Sequence, residues 1–221
     1  MIVGVAMVLG FAIGGKTGGL SPGMGRAYQP HPPWKNHNLL VLSGSMFLSA
    51  SVMGAISSMF ALHARAVGIE NPSLFFGLFA LTYTLSGAVS GYLSDRFGRS
   101  AMIVPGFCLL IAGLLFLTIL NGAVILILSA VLCGVGFGFV NTVLMAMVPG
   151  YSINAIDASN DLAFFSNAFD LGIVLGSIGL SWLAAHSYAL FWLAVAAANA
   201  LGLLLYVRYN PEKQQSEKAQ V

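Results

Sequence analysis

Charged residues fall along this chain in small groups separated by long apolar intervals, and the lengths of those intervals predict its elements. Between Lys35 and Arg65 only His37 and His63 interrupt an apolar run. Glu70 and Asp95 bound a second run, and the stretch between Arg99 and Asp157 holds no charge at all. A helix rising 1.5 Å per residue needs about 20 apolar residues to cross the hydrocarbon core of a bilayer. The first two intervals therefore predict spans at 39–62 and 74–94. The long third interval divides at Asn121-Gly122, residues suited to a tight turn, into spans at 101–120 and 123–148. After Asp161 a fifth span runs to about Ala185 and carries one charge, Asp170. A polar break at His186-Ser187-Tyr188 precedes a sixth at 189–207.

The two ends of the chain read differently. Residues 2–15 offer only about 14 apolar positions, short of the spanning range, so 1–15 reads as a partial transmembrane helix. No basic residue precedes that run and Lys16 follows it, the wrong polarity for a cleaved secretory signal. Residues 16–38, KTGGLSPGMGRAYQPHPPWKNHN, are rich in Gly, Pro, His and basic residues and read as a hydrophilic linker. The polar segment 209–221 reads as a disordered tail.

Composition fixes the class. Charged residues make up 7% of the chain and hydrophobic ones 58%, whereas a soluble domain carries about 25% charged residues. The apolar side chains must face lipid, so the fold class is all-α integral membrane, with a six-helix transmembrane bundle over 39–208. A net charge of +2 gives no basis for binding nucleic acid. Cys108 and Cys133 both lie in apolar stretches and read as small buried hydrophobes.

The placement of the charges orients the bundle. If the spans alternate, one side receives Lys16, Arg26, Lys35, Arg96, Arg99, Arg208, Lys213 and Lys218, and the other only Arg65. Loops rich in Lys and Arg stay in the cytoplasm. The linker, the loop at 95–99, the loop expected at 149–160 and the C-terminus are therefore predicted to be cytoplasmic, in a plasma (inner) membrane.

The loop after the second span reads Gly91-Tyr-Leu-Ser-Asp95-Arg96-Phe97-Gly98-Arg99-Ser100. It resembles the signature loop of the major facilitator superfamily (MFS), G-x-x-x-D-R/K-x-G-R/K-R/K. Gly91, Asp95, Arg96, Gly98 and Arg99 match, and Ser100 departs where a second basic residue is usual. The resemblance implies a fold of two similar six-helix halves and makes this loop a conformational latch between them. Gly91 is expected to admit a close neighbouring helix, Gly98 to permit the turn, and Asp95 to pair with a basic residue or a helix N-terminus. The fourth span has no Arg and the fifth, with DLGIVLGSIGL, lacks the Gly-Pro of the first half's fifth helix. Both departures point to the second half, helices seven to twelve. Residues 1–15 then correspond to the end of helix six, and 16–38 to the loop that joins the halves.

The function that this resemblance implies is secondary active transport of a small solute by alternating access, proton-coupled, with drug or small-metabolite efflux favoured. The implied partners are membrane lipid, a small-molecule solute, protons, and the missing N-terminal half or a second half-transporter. The other reading is a truncated, non-transporting membrane protein, or a half-transporter that needs a partner. The sequence has no hydrolytic triad, metal-ligand spacing or nucleotide-binding motif, so it reads as neither an enzyme nor a cofactor protein, and an ion gradient is the expected energy source.

Polar residues at depth are the candidate site. Asp170 lies nine residues into the fifth span, about 13 Å along its axis, where an ionised carboxylate is costly, so it is expected to face the bundle interior, to be paired, or to be protonated for part of a cycle. Ser166, Asp170, Ser177 and Ser181 fall near one helical face with Asn167 beside them. Asp170 reads either as a proton-coupling or substrate group or as polar glue between helices. Tyr83, Asn141 and Ser51 are further candidates for solute contact; Ser51 belongs to a first span dotted with serines around Gly44 and Gly54. His63, Arg65 and Glu70 cluster at the external mouth, either to screen a charged solute or as a solvated loop. The glycines of GVGFG (134–138), Gly87/Gly91 and Gly172/Gly176 read as helix-contact faces.

Overall fold

The computed structural model describes residues 32–152 and 155–212. Among the described residues six helices are long and apolar enough to cross a membrane: α1 (His37–Ala66), α2 (Ser73–Phe97), α3 (Ser100–Thr118), α4 (Ala123–Tyr151), α5 (Asp157–Ala184) and α6 (Tyr188–Tyr209). No strand occurs among the described residues. In lipid every backbone N–H and C=O needs a partner within the protein, and helices of this length supply them internally. The partial helix expected at 1–15 and the linker up to residue 31 lie outside the described residues. From the end of that linker, Pro33–Lys35 form a single 3₁₀ turn and α1 begins at His37.

The start of α1 is fastened to the end of α4. The Asn36 side chain caps α1 by accepting from the Leu39 N–H (3.4 Å), and its Nδ2 donates to the Tyr151 carbonyl (2.8 Å). At the other end of α2, Gly98 takes a φ of +91° that an L side chain adopts only with strain, so the chain turns there into α3. The loop expected at 149–160 is much shorter. Helix α4 runs to Tyr151 and helical backbone resumes at Ala155. Asp157 and Asp161 therefore sit in the first turns of a helix, where acidic side chains favour the macrodipole, and both are buried.

Helix α4 packs along α2 and α3, α1 packs along α5 and α6, and α3 joins the two groups through α6. Helix α1 also crosses α4, and α4 meets α5. Glycines set the closest approaches. In the GVGFG segment Gly134 and Gly138 face α2, at Thr82 and Ser86, while Gly136 lies 2.5 Å (for a built Cβ) from the Leu110 nitrogen of α3. Gly54 of α1 and Gly172 and Gly176 of α5 are pressed against each other's helix backbones at Ile173, Phe47 and Ser51. Without a hydrophobic drive in lipid, such small-residue contacts supply much of the helix association. Wide π-helical turns at Ile56–Phe60 in α1 and Leu175–Gly179 in α5 meet in this same seam.

Burial is uneven, and the unevenness marks a face. In α1 72% of the central window is buried inside the protein, against 22% in α2 and 17% in α5. Helices α2 and α5 thus flank an open side of the bundle, with α4 behind them.

Candidate functional site

On that open side, α2, α4 and α5 enclose a cleft of ≈ 300 Å³ lined by Tyr83, Asn141, Met145, Phe165, Ser166 and Phe169. At its floor the Asn141 Nδ2 donates to the Tyr83 phenol oxygen at 2.7 Å. The pair bridges α2 and α4 and leaves the Tyr83 hydroxyl proton and the Asn141 carbonyl oxygen for other partners. Tyr83 owes its direction to the helical spacing of Phe75, Phe79 and Tyr83, whose rings stack at 6.2 and 6.3 Å along α2. Phe60 of α1 extends the ladder at one end at 3.9 Å, and Phe137 and Phe169 carry it into the cleft at 5.6 and 6.5 Å. The i, i+4 aromatic spacing is legible in the sequence, whereas the contacts with Phe137 and Phe169 are not.

Of the five candidate residues, the structure places two in the cleft, two exposed on α5 and one in a helix seam. Tyr83 and Asn141 form the floor of the cleft, and Asn167 and Asp170 lie exposed on α5. Asp170 follows Ser166 by four residues, one turn or about 6 Å along the same face. Its carboxylate faces out of this six-helix body and not into it. The reason is the glycine face: Gly172 and Gly176 occupy the side of α5 that meets α1, which turns Asp170 away. Ser51 is buried in that same seam, donates to the Leu48 carbonyl at 2.6 Å and touches Gly176. It belongs to helix packing and does not line the cleft.

The loop 91–99 holds a different arrangement from the one expected. A Cβ on Gly91 would meet nothing within 4 Å, so this glycine admits no neighbouring helix of the described residues. Asp95 and Arg96 are exposed, and the Arg96 guanidinium lies 5.5 Å over the Phe97 ring. The anchor is instead Glu212, three residues beyond α6. Its carboxylate accepts from the Arg99 N–H (3.1 Å), the Ser100 N–H (2.9 Å) and the Ser100 hydroxyl (2.5 Å), and the Tyr206 hydroxyl lies 2.9 Å from Ser100 Oγ. A carboxylate at the N-terminus of α3 is favoured by the free N–H groups there. Partial burial pushes the Glu212 pKa up, but the Ser100 hydroxyl, the two backbone N–H groups and the Arg99 charge outweigh it and hold it below the usual glutamate value. Ser100, the one departure from the signature loop, is thus the residue that receives Glu212. Glu212 lies in the segment expected to be disordered, and sequence spacing alone gave no sign of its partner.

At the opposite end the expected His63, Arg65 and Glu70 cluster is not formed. His63 is buried, stacks on Tyr188 at 4.7 Å and accepts at Nδ1 from the Trp192 indole N–H at 2.9 Å, whereas Arg65 and Glu70 are exposed. A wider recess of ≈ 470 Å³ lies there between the connections around Glu70 and Asn121. It is a surface depression between two loops, remote from the Tyr83–Asn141 pair. Among the described residues no group of three His, Cys, Asp or Glu side chains is placed to hold a metal.

Comparison with known proteins adds the following. The sequence profile of the Major Facilitator Superfamily matches residues 39–221. An uncharacterized MFS-type transporter, YddS, of Bacillus subtilis (strain 168) is 33% identical over 113 residues, which cover 49% of this chain and 26% of that protein. Crystal structures of a POT family transporter, one in complex with 5-aminolevulinic acid and one with a thioalcohol conjugated peptide, superpose with a TM-score of 0.65 at 19% identity. They cover 80% and 81% of this chain, which spans 38% of each of them. At that identity the likeness concerns the fold. The chain thus spans a minor part of the length of each relative it matches.

Proposed function

Because this chain belongs to the Major Facilitator Superfamily, we propose that residues 39–208 are the C-terminal half of a secondary transporter that moves a small solute by alternating access. The observation that carries this reading is the cleft at the open side of the bundle. A hydrogen-bonded Tyr83–Asn141 pair forms its floor and Asp170 stands one helical turn beyond Ser166 at its edge. An apolar, aromatic recess with a few polar groups, walled by three membrane-spanning helices, suits a transport site near the bilayer midplane. The exposed faces of α2 and α5 are then the surfaces that meet a second six-helix half, either the N-terminal half of the same transporter or a second half-transporter. With that half in place, Asp170 faces the central cavity.

Asp170 is the proton-coupling group in this reading. A membrane carboxylate that loses water when the cavity closes binds a proton, and it releases the proton when the cavity reopens. Efflux of a drug or small metabolite is the direction favoured. In this reading the protein lies in the plasma (inner) membrane, and the Lys and Arg bias favours a cytoplasmic side for the Arg99 loop and the C-terminus. Glu212 then ties the tail to the start of α3 on the cytoplasmic side, so the latch loop and the last helix move together.

The test is proton-driven solute flux in proteoliposomes made from the protein as it occurs in the membrane. Asp170→Asn is expected to abolish uptake driven by a pH gradient while solute exchange without a gradient persists. Unchanged gradient-driven flux in Asp170→Asn contradicts the assignment.

A further inference from the structure

We propose that the cleft selects organic cations, in particular protonated amines carrying an aromatic or other apolar body. The proposal rests on the transport reading above and names its substrate class. Three features of the cleft converge on it. Its walls are apolar and aromatic: Tyr83, Phe165 and Phe169 face a space of ≈ 300 Å³, with Met145 beside them. Aromatic faces attract cations through their quadrupole and hold apolar bodies by burial.

The second feature is the sign of the available charge. Asp170 is the one charged residue in the middle of the six helices. Arg65, Arg96 and Arg208 stand in the last turns of α1, α2 and α6, and Arg99 stands just before α3. An anion in the cleft would find an aromatic wall, a carboxylate one turn away and, among the described residues that line it, no cationic side chain to offset its lost hydration. A cation finds the opposite. At a few ångströms in a partly dry site, one charge pair is enough to decide between the two signs.

The third feature is the hydrogen-bonding capacity. Asn141 Nδ2 is occupied by Tyr83, which leaves the Asn141 carbonyl oxygen as an acceptor in a cleft that Ser166 also lines, with Asp170 one helical turn beyond Ser166 on α5. Acceptors of this kind fit the N–H groups of an ammonium. They are too few for a polyhydroxylated neutral solute, which needs many paired donors and acceptors to replace its water.

The test uses three probes of one shape: 2-phenylethylammonium, 2-phenylethanol and 3-phenylpropionate. Binding of each to the chain in lipid nanodiscs is followed by saturation-transfer NMR at neutral pH. The ammonium is expected to bind saturably and at least about tenfold tighter than the carboxylate. Asp170→Asn is expected to erase that preference, while Asp170→Glu, which keeps the charge, preserves most of it. Phe169→Leu is expected to weaken the ammonium and the alcohol alike. Equal or tighter binding of 3-phenylpropionate, absence of saturable ammonium binding, or an ammonium preference unchanged in Asp170→Asn each overturns the proposal. Proton-driven flux of the same probes separates the two readings. Flux of the carboxylate or the alcohol without the ammonium overturns the substrate class and leaves transport standing. Asp170-dependent ammonium binding without any flux supports the site and removes the transport reading.

Discussion

Asn141 of α4 and Tyr83 of α2 are joined by a 2.7 Å hydrogen bond between the side-chain amide and the phenol oxygen, at the floor of a cleft. Two polar groups at depth in separate helices thereby satisfy each other, as groups in lipid must. Hydrogen bonds of this kind within membrane bundles contribute about 0.6 kcal/mol on average. A double-mutant cycle of Tyr83→Phe and Asn141→Leu, read by unfolding in mixed micelles, is expected to return a coupling of about that size. Solute binding is expected to fall more in Asn141→Leu than in Tyr83→Phe, because only the former removes the free carbonyl acceptor.

Gly176 of α5 lies directly on the Ser51 backbone of α1. Gly176→Ala is expected to force these helices apart and to destabilise the protein by about 1–3 kcal/mol. Ser51→Ala removes only a hydroxyl bonded within its own helix at Leu48 and is expected to cost less. Thermal unfolding of the two variants in detergent checks the order. A Ser51→Ala loss larger than that of Gly176→Ala would assign Ser51 a role beyond packing.

Glu212 predicts a pH-dependent attachment of the C-terminal segment. Its pKa is held below the usual value of about 4.3. The stabilisation from its docking is therefore complete at neutral pH and fades as the pH falls through and below that value. Glu212→Gln is expected to release the segment at pH 7. Hydrogen exchange at the Arg99 and Ser100 amides, corrected for the intrinsic rate at each pH, reports it: protection is lost in Glu212→Gln at pH 7, and in the native protein only under acid conditions.

His63 and Trp192 give a prediction at the other end. His63→Phe keeps the stack on Tyr188 but leaves the buried Trp192 N–H without its acceptor. A loss of about 1–3 kcal/mol is expected, with His63→Gln restoring part of it. Equal stability of His63→Phe and the native protein would show that the indole N–H finds another partner.

What the sequence made legible follows from the physics of each feature. The six spans were readable because lipid imposes a length and forbids charge, so the intervals between Lys35, Arg65, Glu70, Asp95, Arg99 and Asp157 carry the architecture almost unaided. The glycines of GVGFG were readable as a packing face, though not that alternate members face α2 and α3. The exposure of Asp170 on this six-helix body is not legible in the sequence, because helical periodicity shows only which residues share a face, and the side of α5 that meets α1 belongs to Gly172 and Gly176. Glu212 on Ser100, and Trp192 on His63, join residues 112 and 129 positions apart, and no local spacing encodes such pairs.

If the proposed function holds, the side of the bundle between α2 and α5 borders a water-filled transport path, while the outer side faces lipid. The native thiol of Cys108 supplies the contrast, since it is exposed on α3 at mid-span, and Cys133 is buried. Ser166→Cys and Asp170→Cys are to be treated in intact membranes with a charged, membrane-impermeant maleimide, and labelling at each position compared with that at Cys108. The account predicts that both introduced cysteines react, that solute slows the reaction at Ser166→Cys, and that Cys108 stays unlabelled. Labelling of Cys108 with Ser166→Cys and Asp170→Cys unreactive would contradict it.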